Sequence, residues 1–506
     1  MSIRRGILAI DEGTTGTRAA WVAADGIVGG LHYERLAVAA PRPGVVEQDA
    51  AEILRKTIDA VQHAVADARR EGVAIVGMAI AAQRATAVVW DTATGQPLAP
   101  AIVWQDTRYA ADLAELAPEW DARLIPQVGR PTGVRSPYLS AVRLIETDAR
   151  VREAHRAGTL AFGTIDTWLL WNLVQGRPLV TTATSATSCG AYVLGEHRYE
   201  TDYLDALGFP RELLPELRDD QDDFGTTDPA ILGIEVPVSA ALGDQHAGLV
   251  GLGALEPGDA MCVHGTGSFV DLTLGAAMPE RPGLYEGALA LVAWRAQQQS
   301  RFTVETFSAT TGSAIDWLCD TLGWFESGRA ISAAAADASA RRQVQFVPAM
   351  TGVRMPVVEP RVRATLTGFD FSTTKADVAA AVLEGIAHSM AWSLEGSSES
   401  AGVDASSVLV GGGLSQSDPL LQMQADLTQV PQRRLRATDV ASLRGAAFLG
   451  GAGTVWPDLA AATATLVPDA EFEPAIDRAE RDDRVGAWRD RVNEEVRRVR
   501  DQNEED

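Results

Sequence analysis

The chain has 506 residues and a formal net charge of −24, with 46% hydrophobic and 22% charged residues. This length exceeds what one hydrophobic core can serve, so we expect two large domains, at residues 1–250 and 251–506. The acidic balance argues against nucleic acid or an anionic membrane as a partner, and no apolar run reaches the roughly 18 residues of a membrane span, so we expect a cytoplasmic protein whose partners are small molecules.

The first predicted element is a strand, a turn and a second strand around Asp11. An apolar run at 7–10 ends at this aspartate, and the chain turns on Gly13 and Gly16 before a second apolar run begins. Glycine permits positive φ angles and close backbone approach, as a cradle for a polyphosphate requires. Asp11 is placed to hold a hydrated Mg²⁺, which proteins bind through one or two carboxylates plus phosphate oxygens, although an ordinary tight hairpin is the alternative. Hydroxyl groups that could donate to phosphate follow at Thr14, Thr15 and Thr17.

A helix and two strands that end in polar or aromatic residues come next. The spacing of apolar residues predicts an amphipathic helix over about 50–70, which serves packing. A small-residue strand at 73–82 runs up to Arg84, and a later short strand carries Trp104. Because these side chains follow strand ends, we expect them on one pocket wall, with Tyr138 as a second aromatic.

Two aspartates stand where an apolar segment gives way to a helix. For Asp166 we predict a structural role, in which the carboxylate caps backbone N–H groups. Asp244 follows the extended segment 236–243 and is the second acid that we single out. A general base and a helix N-cap are equally compatible with its position.

The pattern of strand, glycine-threonine turn and strand occurs again at 260–272, around Gly265, Thr266 and Gly267. Two such hairpins, one in each half, are what a duplicated fold would use to hold a nucleotide from both sides, with chance similarity of two short hairpins as the alternative. The second copy lacks an aspartate at the matching place, so we assign the metal to the first. No lysine stands in a Walker-type loop, so the hairpins would bind phosphate without one.

Three further elements are predicted in the second half. A polar turn at 310–313 opens a helix whose N-terminus could face phosphate or ribose. A buried strand ends in three glycines at 411–413, against which adenine or ribose could lie, although a plain strand-to-helix turn is the default for a glycine run. The segment 441–449 predicts a close-packed helix of small residues, and the chain ends in an amphipathic helix.

Seven motifs follow one another along the chain, at 11–15, 43–49, 83–84, 102–105, 162–169, 243–245 and 265–267. Together they resemble the FGGY family of carbohydrate kinases over nearly the whole chain, and within it the glycerol kinases most closely. The resemblance implies an α/β fold of two actin-like, ribonuclease-H-like domains with a nucleotide cleft between them. It also implies ATP and Mg²⁺ as cofactors, phosphorylation of a hydroxyl of a small polyol or sugar, and a homo-oligomer, either a dimer or a tetramer.

The same resemblance implies roles for individual residues. Asp244 is the expected general base and Asp11 the expected metal ligand. Around the acceptor it implies Arg84, Trp104, Tyr138, Asp244, Gln245 and Phe269. Near phosphate or nucleotide it implies Thr14, Thr15, Gly16, Arg18, Thr266, Gly312, Asp316, Gly413 and Ser417.

The chain departs from the glycerol kinases at several places. The residue after Arg84 is Ala85, where glycerol kinases are expected to carry glutamate, so one carboxylate that would hold the polyol is missing. Asp316 and Ser417 stand where amide side chains are usual, and the segment 352–361 lacks the Pro-Tyr-Trp-Asp run typical of the family. We therefore expect glycerol to be a poor substrate and a polyol or ketose of four or five carbons to be a better one, with glycerol itself as the alternative.

Two other classes of function compete with a kinase. A conformational ATPase similar to actin or the chaperone ATPases would share the hairpins but lack an acceptor pocket. The pair Gln83-Arg84, with Trp104 and Tyr138, argues against this class. A catalytically silent sensor would require a broken acid pair, and both Asp11 and Asp244 are present.

Overall fold

The computed structural model describes residues 4–338 and 343–504. Contacts divide the chain into two compact units, both of mixed α/β structure. The first contains the chain up to Gly253 together with Leu291–Phe302 and Val440–Leu466, and the second contains Ala254–Ala290, Thr303–Asp439 and the chain from Val467 onward. The predicted boundary at residue 250 stays a prediction. Within the described ranges no helix combines the length and the apolar character needed to cross a membrane.

A five-stranded sheet with the strand order β14-β6-β1-β2-β3 forms the centre of the first unit. The strands up to Gly243 are β1 (Arg4–Glu12), β2 (Gly16–Ala23), β3 (Val28–Arg35), β4 (Ala39–Arg42), β5 (Val45–Gln48), β6 (Val73–Ala82), β7 (Val88–Asp91), β8 (Ala101–Ile102), β9 (Leu160–Gly163), β10 (Val180–Thr182), β11 (Tyr192–Val193), β12 (Arg198–Tyr199), β13 (Glu216–Arg218) and β14 (Val238–Gly243). The helices are α1 (Ala50–Glu71), α2 (Ala110–Val128), α3 (Pro137–Thr147), α4 (Ala149–Ala157), α5 (Ile165–Leu173), α6 (Ala183–Thr187), α7 (Thr201–Ala206), α8 (Pro229–Leu232) and α9 (Asp244–Leu252).

The buried character of β1, β2, β6 and β14 explains why these strands could be predicted, whereas the partly exposed β3 was not predicted. β1 and β2 form an antiparallel hairpin, while β1, β6 and β14 run parallel. Parallel strands are covered on both faces and therefore appear in a sequence as continuous apolar runs. The strand predicted at 73–82 is confirmed as β6, with the same bounds.

The first helix is fixed at both ends by its sequence. Asp49 accepts a hydrogen bond from the N–H of Ala51 at 2.9 Å, and Gly72 ends the helix in the left-handed conformation with φ 70. The helix predicted over about 50–70 is confirmed as α1.

Asp166 has structural contacts but does not cap α5, whose N-cap is Thr164 without a side-chain cap bond. Its buried carboxylate instead accepts from Thr181 Oγ1 at 2.8 Å and from the N–H of Thr182 at 3.3 Å, both on β10.

A seven-stranded sheet with the order β17-β18-β16-β15-β21-β22-β23 forms the centre of the second unit, except that Leu291–Phe302, which holds most of β17 and the start of β18, is assigned to the first unit. Its strands are β15 (Asp259–His264), β16 (Ser268–Gly275), β17 (Ala288–Ala296), β18 (Gln299–Ser308), β19 (Gln345–Val347), β20 (Thr365–Thr367), β21 (Ser407–Gly412), β22 (Gln432–Leu435) and β23 (Pro468–Phe472), of which β19 and β20 form a separate pair. The helices after Gly253 are α10 (Gly312–Asp316), α11 (Gly328–Ala336), α12 (Lys375–Ala401), α13 (Asp418–Thr428), α14 (Ala441–Gly451), α15 (Leu459–Thr463) and α16 (Arg478–Glu504), and α14 and α15 belong to the first unit.

The two sheets repeat one arrangement. In each sheet, the first strand of a hairpin with a glycine-threonine turn is flanked on one side by two further strands that run parallel to it. These are β6 and β14 beside β1, and β21 and β22 beside β15. The α/β fold with two related domains is thereby confirmed.

The helix predicted at 441–449 is confirmed as α14, which crosses α9 at very short range. A β-carbon added to Gly251 would lie 1.9 Å from the carbonyl oxygen of Ala441, and one added to Gly445 would lie 1.8 Å from that of Ala247. Only glycine fits at such a crossing, so α14 is held tightly against the helix that begins at Asp244.

Candidate active site

The first glycine-threonine hairpin places Asp11 and Arg18 opposite each other on β1 and β2. Arg18 Nη2 donates to Asp11 Oδ2 over 2.5 Å, and the turn is closed by the N–H of Gly13, which donates to the carbonyl of Gly16 at 3.0 Å. Burial raises the pKa of Asp11, while the nearby Arg18 guanidinium opposes this shift. A β-carbon on Gly16 would lie 2.3 Å from the ring of Tyr33, so any larger residue there would have to displace this exposed side chain.

Thr14 connects this hairpin to the predicted pocket wall. Its hydroxyl accepts from Trp104 Nε1 at 2.8 Å, and its carbonyl accepts from Gln48 Nε2 at 2.8 Å. Gln48 in turn accepts from Gln83 Nε2 at 3.0 Å. With Trp104, these bonds connect four segments of the chain in one network. Thr15 lies exposed at the tip of the turn. Sequence reasoning identified Thr14 and Trp104 but assigned no role to Gln48, although it lies within the motif at 43–49.

Arg84 and Asp244 lie together at the carboxyl ends of the neighbouring strands β6 and β14. Arg84 Nε is 3.9 Å from Asp244 Oδ1, and Arg84 Nη1 donates to Ser188 Oγ at 3.3 Å. Asp244 Oδ1 also accepts from the N–H of Gln245 at 2.8 Å, and a third of the Asp244 side chain is exposed. The N-cap of α9 is Gly243, and Asp244 is its first helical residue. The structure therefore brings Arg84, Asp244 and Gln245 together, with the carboxylate held in place but accessible.

A buried carboxylate that sequence reasoning missed supports the start of α9. Thr184 Oγ1 accepts from the N–H of Gly243 at 2.9 Å and donates to Asp220 Oδ1 at 2.6 Å. Asp220 Oδ2 accepts from the N–H of Arg295 at 2.7 Å. Burial raises the pKa of Asp220 to about 7, although the bonds to Thr184 and Arg295 oppose this. Asp220 stands in an irregular acidic stretch, and no spacing in the sequence distinguishes it from its neighbours.

We expect Asp220 to make the stability of the protein depend on pH. Its pKa is about 7 in the folded state against 3.8 for the free side chain, so the folded state retains a proton that the unfolded state releases. The contribution is present below pH about 4 and is lost as pH rises through about 7, at up to about 1.4 kcal/mol for each pH unit. Denaturant unfolding at pH 5, 6, 7 and 8 should show the stability difference between the parent and Asp220→Asn narrowing as pH rises. For the control Asp223→Asn, at an exposed site, the stability difference from the parent should be the same at all four pH values. The difference for Asp220→Asn would also be constant if Asp220 were ionised from pH 5 to pH 8, and that result would contradict the prediction.

A second acid that sequence reasoning missed is Glu12, directly after Asp11. Its side chain is buried and accepts from Thr57 Oγ1 on α1 at 3.1 Å, and burial raises its pKa to about 8. The two consecutive acids at a strand end were visible in the sequence, and both are buried, but only their contacts show that they differ in surroundings. Glu12 packs toward α1, while Asp11 contacts Arg18.

Tyr138 and Ala85, which the sequence places near the acceptor, are both buried. Tyr138 is only 3% exposed, and its ring packs at centroid distances of 5.7 Å from Phe162 and 5.2 Å from Phe209. The structure therefore puts Tyr138 inside an aromatic cluster and does not bring it to the surface beside Arg84. Ala85 has φ 57 and is 6% exposed, and it lines a small cavity together with Arg135.

The second hairpin carries Thr266 exposed at its tip, between β15 and β16. The carbonyl of Thr266 accepts from the N–H groups of Thr311 and Ser313, at 3.2 and 3.1 Å, and the N–H of Gly312 donates to the carbonyl of Gly265 at 3.0 Å. A β-carbon on Gly312 would lie 2.4 Å from that carbonyl oxygen, so this contact requires glycine. The polar turn predicted to open a helix is confirmed, although α10 has only five residues before a π-helical turn follows.

Buried polar side chains at the base of this hairpin form a chain of hydrogen bonds. His264 Nδ1 lies 2.7 Å from Ser268 Oγ, and its Nε2 lies 2.8 Å from Gln424 Nε2 on α13. Ser268 Oγ donates to Thr311 Oγ1 at 2.8 Å. Burial lowers the pKa of His264 to about 4, so the ring is neutral and serves as a fixed hydrogen-bonding link.

The remaining predicted residues of the second unit differ in accessibility. Gly413 and Asp316 are exposed, and a β-carbon on Gly413 would meet no other atom within 4 Å. Ser417 is buried and accepts from Ser332 Oγ at 2.7 Å. Phe269 is half-buried, and its ring lies 4.5 Å from that of Phe307.

The donor set around Asp11 fits a metal that is bound mainly by its nucleotide. Across residues 4–338 and 343–504, no group of three or more His, Cys, Asp or Glu side chains could hold a metal ion. Mg²⁺ does not need such a cage, because it keeps several waters and is bound through one or two carboxylates plus phosphate oxygens. A buried carboxylate at the end of a glycine-threonine turn supplies that kind of ligand.

Comparison with family models covers most of the chain. Residues 6–251 match the N-terminal domain of the FGGY family of carbohydrate kinases, and residues 260–454 match the C-terminal domain of the same family.

Curated relatives and solved structures agree with this match. The chain is 36% identical to the glycerol kinase of Thermus brockianus over 493 residues, which is 96% of this chain and 97% of that protein. It is 34% identical to the glycerol kinase of Brucella ovis, over 96% of this chain and 98% of that protein. The fold is similar to that of Plasmodium falciparum glycerol kinase with ADP, with a TM-score of 0.90 and 22% identity over 97% of this chain and 98% of that one. A xylulose kinase from Rhodospirillum rubrum gives a TM-score of 0.82 and 21% identity over 96% and 97% of the two chains.

Proposed function

The chain belongs to the FGGY family of carbohydrate kinases, and we propose that it transfers the γ-phosphoryl group of ATP to a hydroxyl of a small polyol or sugar, with Asp244 as the general base. The observation that carries the proposal is the pairing of Arg84 with an accessible, fixed Asp244 at the ends of β6 and β14. A general base must reach the proton that it accepts, and this carboxylate is held at the edge where parallel strands place ligands.

Positioning would supply most of the catalysis. Phosphoryl transfer needs little covalent help from a protein, so the rate comes from aligning the acceptor hydroxyl with the phosphate and from neutralising charge. Arg84 would orient the acceptor beside Asp244, and the network of Trp104 and Thr14 would fix the first hairpin against the same wall. Mg²⁺, held by Asp11 and phosphate oxygens, would neutralise negative charge on the phosphates.

The identity of the acceptor depends on Ala85. Curated relatives that act on glycerol support glycerol as the substrate. Against it stands the methyl group of Ala85, where the expected glutamate would hold a hydroxyl of glycerol. A methyl group takes up less of the wall than glutamate would, which favours a longer acceptor. We propose a polyol or ketose of four or five carbons as the better substrate, held by Arg84, Trp104 and Gln245. Because Tyr138 is buried in the aromatic cluster, it would support this wall from behind.

A screen of ADP release over glycerol, dihydroxyacetone, tetritols, pentitols and ketoses tests the proposal. A carboxylate that bonds a hydroxyl contributes roughly 1.5 to 3 kcal/mol, so Ala85→Glu should raise kcat/KM for glycerol by about ten- to a hundredfold and lower it for longer acceptors. Ala85 already occupies the left-handed region at φ 57, so a glutamate there adds no backbone strain beyond that of the parent.

The matched control is Ala85→Gln, which has nearly the same size without the charge and should gain less on glycerol. If the parent prefers glycerol and Ala85→Glu gains nothing, glycerol is the substrate and the argument from Ala85 is wrong. ADP release that is independent of every acceptor would contradict the kinase proposal itself and favour a conformational ATPase.

A further inference from the structure

The first unit contains a cavity of about 1070 Å³ that none of the predicted site residues lines. Sites for small molecules commonly have volumes of 300 to roughly 1,000 Å³, so the cavity is large enough for a mono- or disaccharide. Amide and hydroxyl side chains form much of its wall: Gln175, Gln221, Thr226, Ser239, Gln297 and Gln298.

The turn between β17 and β18 supplies two of these amides at a cost in backbone strain. Gln297 and Gln298 are its two central residues, with φ 51 and 62. Two-residue turns of this kind strongly favour asparagine and glycine, because other side chains are strained at positive φ. Asp219 Oδ2 accepts from the N–H of Gln298 at 2.6 Å and fixes the turn, so both amide side chains are kept at the cavity. Strain of this kind is concentrated at functional sites.

The charges around the cavity select against an anion. Three carboxylates line it, on Asp219, Asp222 and Asp223, against two guanidinium groups, on Arg218 and Arg295. Arg295 Nε lies 2.6 Å from Asp219 Oδ1, and Arg218 Nη1 lies 3.8 Å from Asp222 Oδ2. Each of the two guanidinium groups is therefore paired with a carboxylate of the cavity wall. Amides, hydroxyls and carboxylates together can donate to and accept from the hydroxyl groups of a neutral sugar or polyol.

The wall of the cavity is linked to the start of α9 by hydrogen bonds. The N–H of Arg295 donates to Asp220 Oδ2, and the carbonyl of Asp220 accepts from the N–H of Ala241 at 2.9 Å. Asp220 Oδ1 holds Thr184, whose hydroxyl accepts from the N–H of Gly243. These bonds connect the segment around Asp220 to Gly243, the residue that precedes Asp244.

We propose that this cavity is a second binding site, for a neutral polyhydroxylated molecule, and that its occupancy adjusts Asp244 through Asp220 and Thr184. The adjustment of Asp244 rests on the proposed function, whereas binding at the cavity does not.

The experiment measures binding of sucrose, and separately of inorganic phosphate, by calorimetry in the absence of nucleotide. Four proteins are compared: the parent, Gln297→Ala combined with Gln298→Ala, Gln299→Ala and Arg84→Ala. The double variant keeps β-carbons and the backbone N–H of the turn while it removes both amides. Gln299 is the matched control, because it is the next residue, is exposed, and does not line the cavity. Arg84→Ala alters the predicted acceptor wall only.

We expect sucrose to bind the parent, Gln299→Ala and Arg84→Ala with equal affinity, the double variant to bind at least tenfold more weakly, and phosphate to bind none of them at the cavity. Bound sucrose should also change kcat of the parent and of Gln299→Ala, but not of the double variant. No binding of sucrose to the parent overturns the proposal, and so does binding that Arg84→Ala abolishes while the double variant retains it. If sucrose binds at the cavity without any change in kcat, the proposed effect on Asp244 is wrong and the proposed binding site stands.

Discussion

Asp244→Asn should lower the turnover of the acceptor by about 10²- to 10⁴-fold without unfolding the protein, because a general base contributes an effect of that size. The amide keeps the oxygen that accepts from the N–H of Gln245 and has nearly the same volume, so α9 should begin at the same residue. It lacks the basic carboxylate that would accept the proton of the acceptor hydroxyl. Steady-state kinetics with the best acceptor of the screen, beside a thermal unfolding curve, measures both effects.

Asp148→Asn provides a matched control. Asp148 is also an aspartate at the start of a helix, where it accepts from the N–H of Arg150 at 2.8 Å at the N-terminus of α4. Its replacement should leave turnover unchanged. An Asp244→Asn protein that works at the parental rate would reduce Asp244 to a residue that starts a helix, and an equal loss in both variants would point to helix stability.

The elements of the fold were predictable wherever burial imposes a simple period. Strands covered on both faces appear as unbroken apolar runs, which gave β6 with its observed bounds, and an amphipathic stripe between Asp49 and Gly72 gave α1. The assignment of Val440–Leu466 to the first unit was not predicted, because it depends on contacts between residues that are distant in the chain. Gly251 and Gly445 make that packing possible, yet their proximity has no local signature in the sequence.

The candidate site was predictable to the extent that its residues end strands. Asp11, Arg84 and Asp244 all follow apolar runs, and neighbouring parallel strands end at one edge of a sheet. Whether a side chain of the site is exposed or buried was not predictable, because an aromatic residue after a proline has the same local sequence in a pocket and in a hydrophobic core. Tyr138 proved to be buried against Phe162 and Phe209 for that reason.

Supporting residues were the least predictable part of the site. Asp220 accepts a hydrogen bond from Thr184, which accepts one from the backbone of Gly243, and both residues are far from Asp220 in sequence. Such contacts depend on side-chain geometry in three dimensions, and neither periodicity nor spacing encodes them. The same holds for the link from His264 to Gln424 below the second hairpin.

Asp11→Ala should reduce turnover by about 10²- to 10³-fold and raise the Mg²⁺ concentration needed for half-maximal activity, because removing one preorganised electrostatic group from a reacting site has an effect of that size. The carboxylate is 2% exposed at the end of β1, where burial raises its pKa and the Arg18 guanidinium lowers it. Since the Arg18 side chain is 32% exposed, water can solvate it after the change, and we expect the first unit to stay folded. Titrations of turnover with Mg²⁺, and of ADP binding with and without Mg²⁺, give two independent measurements.

Asp25→Asn is the matched control for this change. Asp25 forms an aspartate–arginine pair with Arg4 at 3.0 Å in the same hairpin, but at its far end and on the surface. Surface pairs of this kind contribute about 0 to 1 kcal/mol, so the control should alter neither turnover nor the Mg²⁺ titration. A metal titration of Asp11→Ala that superimposes on that of the parent would remove Asp11 from the metal site. Asp11 would then serve only to orient Arg18, and the loss of turnover should be reproduced by Arg18→Ala.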